Sequence, residues 1–268
     1  MKQQSSLTPQ ARRLVQAAAT LALAVGSAPG FAAPDWDLLG VKLGMTEAEV
    51  RAAFQAAEPG GKISVQNATY SYSDKINSFK TPPFLSTMEL SVTRLSIQRP
   101  LKVWFSGPIG EARVMAVARN ESNLPSAATN AQYRQGLQGK YGPPTALEAN
   151  GALTLWEEEG KPSCIRAGGR FEIGEFGQVT GGFKDLPMAV EKLKAVQQRP
   201  NSGLPADLTT CGTFMYYVTG SDPVMSVTAG LFDVGAIMQT YRDRDMWVDQ
   251  LTAEAIRKRE GASQAPRL

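Results

Sequence analysis

Val41-Lys42-Leu43-Gly44-Met45-Thr46-Glu47-Ala48-Glu49-Val50 is the stretch from which the fold is read. Thr46 carries the short oxygen-bearing side chain that accepts from free amides at a helix start. Glu49 stands where its carboxylate reaches back to the cap, so the two make a capping box. Met45 before the cap and Val50 after it are spaced as a hydrophobic staple. Val50, Ala53, Phe54 and Ala57 then share one helical face, and Glu58-Pro59-Gly60-Gly61 stops the run. The stretch predicts a short amphipathic helix with an apolar face to cover.

Working outward, the apolar period shortens to two. Ile63 and Val65 lead toward Tyr70 and Tyr72, Thr81-Pro82-Pro83 makes a longer loop, and Leu90, Val92, Leu95 and Ile97 follow, with a slip between Val92 and Leu95 that predicts a bulge. Turns at Gln98-Arg99-Pro100 and Gly107-Pro108-Ile109-Gly110 set off Leu101, Val103 and Phe105 and the segment from Arg113 to Val117. About four antiparallel strands therefore follow the helix. After a polar connector from Asn120 to Pro125 the order recurs. Ala131, Arg134, Leu137 and Tyr141 mark a second helix, ended by Gly142-Pro143-Pro144. Strands are then expected at Leu153, Leu155 and Trp156, at Phe171-Glu172-Ile173, from Phe214 to Val218 and from Val224 to Leu231.

An insertion near 184–203 carries a helix from Met188 to Gln198 with Ala189, Leu193 and Val196 inward. Asp233 caps a long final helix whose stripe of Ile237, Tyr241, Val248, Leu251 and Ala255 is expected to pack on the second sheet. The fold class is α+β, as tandem modules of one helix and about four antiparallel strands with a long C-terminal helix. The modules span 33–123 and 124–260, and 261–268 reads as a disordered tail.

The Leu43-Gly44-Met45-Thr46 start with Val50, and the stop Tyr141-Gly142-Pro143-Pro144, resemble segments of bacterial envelope modules. These are the small outer-membrane assembly lipoproteins of the SmpA/OmlA type and the related beta-lactamase inhibitor protein fold. The tandem helix-and-sheet plan is also similar to the two-module inhibitor. The resemblance implies a helix-plus-antiparallel-sheet fold of the kind found in the bacterial envelope. The chain lacks the lipid-bearing cysteine of the assembly lipoproteins.

The N-terminus reads as an address. Lys2, Arg12 and Arg13 precede an apolar run from Leu14 to Val25, and small residues follow from Ala28 to Ala33. That is the plan of a secretory signal peptide over 1–32, cleaved near Ala32/Ala33, and its apolar run is shorter than the roughly 20 residues a bilayer span needs. No later segment is long enough to cross a membrane either. Cys164 and Cys211 are the only two cysteines. In the periplasmic or secreted setting they are expected to form one disulfide, which contributes about 4 kcal/mol in the chain-entropy view.

The 28 Lys and Arg residues against 25 Asp and Glu give a formal charge of +3. Lys2, Arg12 and Arg13 account for that excess, so the exported chain is charge-balanced and no nucleic-acid partner is expected. There is no histidine, which excludes Ser-His-Asp and Cys-His nucleophiles and histidine metal sites. No phosphate loop, dinucleotide fingerprint or calcium loop occurs, so no cofactor or metal is implied. Ala167-Gly168-Gly169 and Thr180-Gly181-Gly182 read as turns.

Glu157-Glu158-Glu159 followed by Gly160 reads as a solvated hairpin end, and Asp243, Asp245 and Asp249 beside Arg242 and Arg244 as a charged helix face. Among Tyr70, Tyr72, Trp104, Trp156, Tyr216 and Tyr217, strand alternation predicts that one of Tyr216 and Tyr217 faces outward. That makes this pair the candidate partner-binding residues. The sequence thus points to a non-enzymatic module binding another envelope protein. A small-ligand protein or a carboxylate-dependent hydrolase is the alternative.

Overall fold

The computed structural model describes residues 34–94, 97–98, 100–124, 128–167, 170–171 and 186–262. A short hairpin, β1 (Asp37–Leu38) and β2 (Val41–Lys42), leads into α1 (Glu47–Ala57). Its capping box is in place: Thr46 N–H donates to Glu49 Oε2 at 2.7 Å and Glu49 N–H donates to Thr46 Oγ1 at 3.4 Å. Val50 and Phe54 are fully buried, and Met45 packs at the edge of the same cluster. Next come β3 (Lys62–Ala68), a small hairpin of β4 (Ser71–Ser73) and β5 (Ser78–Lys80), and β6 (Phe84–Ser91). A second small hairpin of β7 (Thr93–Arg94) and β8 (Ile97–Gln98) precedes β9 (Leu101–Phe105) and β10 (Val114–Ser122).

The second half opens on α2 (Asn130–Tyr141). Its start holds a capping box that the pattern Thr129-x-x-Gln132 signals and the helical-spacing argument passed over. After it lie β11 (Ala146–Glu148), β12 (Leu153–Glu157), the hairpin of β13 (Arg166–Ala167) and β14 (Arg170–Phe171), and α3 (Leu186–Gln197). A 3-10 turn at Leu208–Thr210 leads to β15 (Thr213–Thr219), β16 (Ser226–Asp233) and α4 (Val234–Ala262). Asp233 caps α4 as expected, accepting from Ala236 N–H at 2.8 Å.

Among the described residues eight strands form one antiparallel sheet in the order β11-β12-β15-β16-β10-β9-β6-β3. Each half is a meander, and the two meet where the last strands pair, from Ala116 opposite Phe232 to Ser122 opposite Ser226. The seam is continuous with the rest of the ladder, so the expected boundary at 123/124 does not divide the core. The described chain belongs to one compact unit.

The sheet is covered on both sides. On one, Val50 and Phe54 of α1, Leu38 and Val41 of the first hairpin, and Tyr133, Leu137 and Tyr141 of α2 pack on Met88, Val103, Val117, Met215 and Leu231. On the other, Leu186, Val190 and Leu193 of α3 and Val234, Ile237 and Tyr241 of α4 pack on Leu155, Phe214, Tyr216 and Phe232. Cys164 and Cys211 are joined in this second layer, with Cα atoms 5.7 Å apart, an ordinary disulfide span. Among the described residues no helix is long and apolar enough to cross a membrane.

Several expectations change. The first strand of the second half is Ala146–Glu148, while Phe171 ends a separate two-residue hairpin; 172–173 lie outside the described residues. Near Val92 a hairpin stands where a bulge was expected, and the register shifts fall instead at Gln66/Asn67 and Val114/Ala116. Only the start of α4 packs on the sheet. Beyond Tyr241 no residue of the helix is fully buried, and its half-buried Val248, Leu251 and Ala255 continue alongside β4 of the first half. The helix runs through Gly261 and Ala262, which were assigned to the tail. The leader and its cleavage site, Leu95, Gly168-Gly169, Thr180-Gly181-Gly182, the start of the insertion and 263–268 all lie outside the described residues.

Candidate functional site

Tyr216 and Tyr217 do point to opposite faces, yet both are buried, at 0% and 3% exposure. The expectation that one of them faces solvent fails because β15 is sandwiched between two helical layers. Its run of Phe214, Met215, Tyr216, Tyr217 and Val218 has no polar alternate, which is the signature of a strand covered twice. The Tyr217 hydroxyl lies 3.1 Å from that of Tyr141, which donates to the Asp37 carbonyl at 2.8 Å. Trp156 and Tyr133 close the aromatic cluster. Beside it the half-buried Arg119 pairs with the buried Glu121. Burial pushes the Tyr133 hydroxyl up to about 12 and raises that of Tyr217 as well.

Tyr216 stacks with both Phe214 and Phe232, which also stack on each other, beside Gly230. A Cβ at Gly230 would stand 2.4 Å from the Phe232 ring and 2.5 Å from that of Tyr216, so only glycine fits there. The Tyr216 hydroxyl is buried and has no hydrogen-bond partner among the described residues.

Four members of the acidic runs, Glu157, Glu158, Asp243 and Asp245, are engaged in local contacts. Glu157 accepts from the Ser163 hydroxyl, and Glu158 accepts from Thr213 N–H at 2.9 Å, which ties the β12 end to β15. On α4, Asp243 accepts from Gln239 at 2.7 Å and Asp245 pairs with Arg244. Asp245 and Asp249 line a groove of about 430 Å³ together with Lys194 and Arg242, so its charges are balanced. Among the described residues no group of three or more His, Cys, Asp or Glu could hold a metal ion.

What the sheet leaves open is an edge. Among the described residues β3 is the outermost strand and is hydrogen-bonded on one side only, to β6. Ile63 and Val65 explain why Lys62–Ala68 forms a strand: they lie opposite Leu90 and Met88, both buried, and face the layer that holds α1. Val65 is nonetheless 40% exposed beside a Met88 that is 0% exposed, because the neighbour it lacks is on the outer side. The opposite phase is polar. Ser64 and Gln66 lie opposite Glu89 and Thr87, and the Thr87 hydroxyl donates to Gln66 Oε1 at 3.2 Å.

The devices that usually blunt an edge are short length, proline, charge and an edge bulge. β3 has seven residues, no proline and a single charge, Lys62. The irregularity at Gln66/Asn67 places its extra residue, Ser86, on β6 and leaves the outer strand regular. The far edge, β11, has three residues and is blunted by shortness.

Between β3 and β6 the chain makes the β4–β5 hairpin, whose Ile76 is 76% and Phe79 38% exposed. Tyr72 stacks on Phe79 with ring centroids 5.3 Å apart. The hairpin is fastened to α4 by Arg259, which donates to the Asp74 carbonyl, and by Arg244 over the Tyr70 ring at 5.5 Å. Tyr72, Phe79, Leu251 and Ala255 line a groove of about 540 Å³ with Glu254 and Lys258 at its side. The open strand β3 thus leads along the chain into a hairpin that carries exposed apolar side chains, and an open strand edge is a feature suited to an extended polypeptide. Periodicity marked β3 as a strand, but nothing in the sequence placed it outermost. Comparison with protein-family models, with curated proteins and with solved structures gives no match for this chain.

Proposed function

We propose that this is an exported, non-enzymatic protein-binding module that takes an extended strand of its partner onto the open edge of its sheet at β3. The observation that carries the reading is a seven-residue edge strand with a regular outer side and an exposed Val65 at its centre. Backbone groups on such an edge are satisfied by water until another strand supplies a ladder. Main-chain hydrogen bonds then provide affinity and alternate side chains provide selectivity. Both sheet faces in the second half are covered, so binding is moved from the face of the sheet to its rim.

Export is supported by the leader-like N-terminus and by the Cys164–Cys211 disulfide, a bond that persists in oxidising compartments. The likeness of the Leu43–Val50 helix start to bacterial envelope modules agrees with a periplasmic or secreted location. A second reading, a small-ligand site, has one observation in its favour, the groove between Tyr72, Phe79, Leu251 and Ala255. Against the hydrolase alternative weigh Glu157 and Glu158, both engaged in hydrogen bonds that hold the fold.

The test is a photocrosslinking side chain at position 65 in producing cells, with position 147 on the far edge as the control, since Leu147 is 49% exposed. Defined protein adducts are expected from position 65 and not from 147. No adduct at 65, or equal adducts at both, would sink the proposal.

A further inference from the structure

We infer that the strand which completes this edge is β3 of a second copy of the same chain, paired antiparallel about a two-fold axis through Val65. This inference rests on the reading of β3 as a strand-binding edge and names its partner.

Because successive side chains alternate faces, a two-fold perpendicular to the sheet must bring residues of like parity opposite each other. Only one such register overlaps all of Lys62–Ala68. It places Val65 against its own counterpart, Ser64 against Gln66, Ile63 against Asn67 and Lys62 against Ala68. The exposed apolar Val65 is then covered at the centre of the pair. Ser64 and Gln66 face each other as hydrogen-bonding partners on the polar phase. The two lysines lie at opposite ends of the ladder, so no like charges meet. Lys62 is the strand's only charge, so the edge makes no demand for an acidic or basic partner strand. A strand with little charge and an apolar residue at its centre is what it fits, and β3, whose one charge stands at its end, is such a strand.

The molecule already joins two meanders in this manner at its seam. There β10 and β16 pair antiparallel over seven residues, from Ala116 opposite Phe232 to Ser122 opposite Ser226. Pairing through β3 would repeat that junction at the far end of the first half. It would also close the assembly: both copies would have used their long edge, and the edges left, β11, have only three residues each.

The experiment is sedimentation of the purified full-length exported protein over a wide concentration range, with circular dichroism to check each variant's fold. The wild type is expected to move from monomer to dimer as concentration rises. Val65→Lys and Val65→Glu each place like charges face to face on the axis and are expected to weaken the dimer about tenfold or more, while a mixture of the two restores it. Restoration by mixing is specific to a residue that meets itself, and a merely structural effect of either substitution would not produce it. A wild type that is monomeric at every concentration, or a Val65→Lys variant that dimerises as the wild type does, overturns the inference. If the chain alone stays monomeric while position 65 crosslinks a different protein in cells, self-pairing falls and the strand-binding reading stands. If neither occurs, both fall.

Discussion

The two halves of the sheet follow the same order, a helix and then a four-strand meander, and end in opposite environments. β15 in the second half is buried from Thr213 to Tyr217, whereas five of the seven residues of β3 in the first half are exposed. Coverage makes the difference. α3 and the start of α4 seal the outer face of the second half, but α4 leaves the core after Tyr241 and runs on beside the β4–β5 hairpin. The second half therefore serves as the stable block, and the first half carries the rim on which another strand can be added.

The comparison breaks most readily from its buried side. Phe232 is 0% exposed and stacks on Phe214 with ring centroids 5.0 Å apart, in a layer it shares with Ile237 and Leu155. Phe232→Ala removes a large ring from a tightly packed layer and is expected to destabilise the protein by about 3–5 kcal/mol. Val65→Ala at the other end of the sheet is expected to change stability by no more than about 0.5 kcal/mol. Urea unfolding of the two variants measures the contrast, and equal losses would mean that β3 is integral to the core after all.

A smaller effect of opposite sign is expected from Tyr216. Its hydroxyl is fully buried on the α3 side without a hydrogen-bond partner among the described residues, and burial alone pushes its pKa up. An unsatisfied buried hydroxyl costs about 1–3 kcal/mol, and Tyr216→Phe removes it while keeping the ring stacked with Phe214 and Phe232. The variant is expected to be more stable than the wild type by about 1 kcal/mol in the same unfolding assay. Destabilisation would mean that the hydroxyl has a bound water as its partner.

Much of this contrast was legible in the residues, though not all of it was read. The helix start at Thr46 was, because a capping box is local chemistry between residues three apart. The polar alternation of Lys62–Ala68 and the unbroken apolar run of Phe214–Val218 already distinguish a half-open strand from one covered twice. Reading Tyr216 and Tyr217 by alternation alone missed this, since alternation says that they face apart and says nothing of what covers each face. β11 was missed because Ala146–Glu148 is too short to show a period. The position of β3 at the rim and the departure of α4 from the core depend on which elements meet across the chain, and no local pattern encodes that.

The smallest expected effect tests how α4 is held where it still belongs to the stable block. Asp207 accepts from Thr209 N–H at 3.0 Å and from the Thr209 hydroxyl at 2.8 Å, and it pairs with Arg242 of α4 at 2.6 Å. The Thr209 backbone bond, then the hydroxyl and then Arg242 hold its carboxyl at about 2, below the usual 3.8. A carboxylate whose pKa is depressed by folding contributes stability that is present above the unfolded value and is lost as pH falls through the folded one. Asp233, which caps the same helix, is shifted the other way: burial raises its pKa, so the cost of keeping it charged is relieved on acidification. Only Asp207 of the two can therefore weaken the α4 junction in acid. Melting temperatures of wild type and Asp207→Asn are expected to differ by a constant amount above about pH 4 and to converge as pH falls toward 2. A gap that stays the same down to that pH would show that the contribution of Asp207 is the shape of its contacts and not its charge.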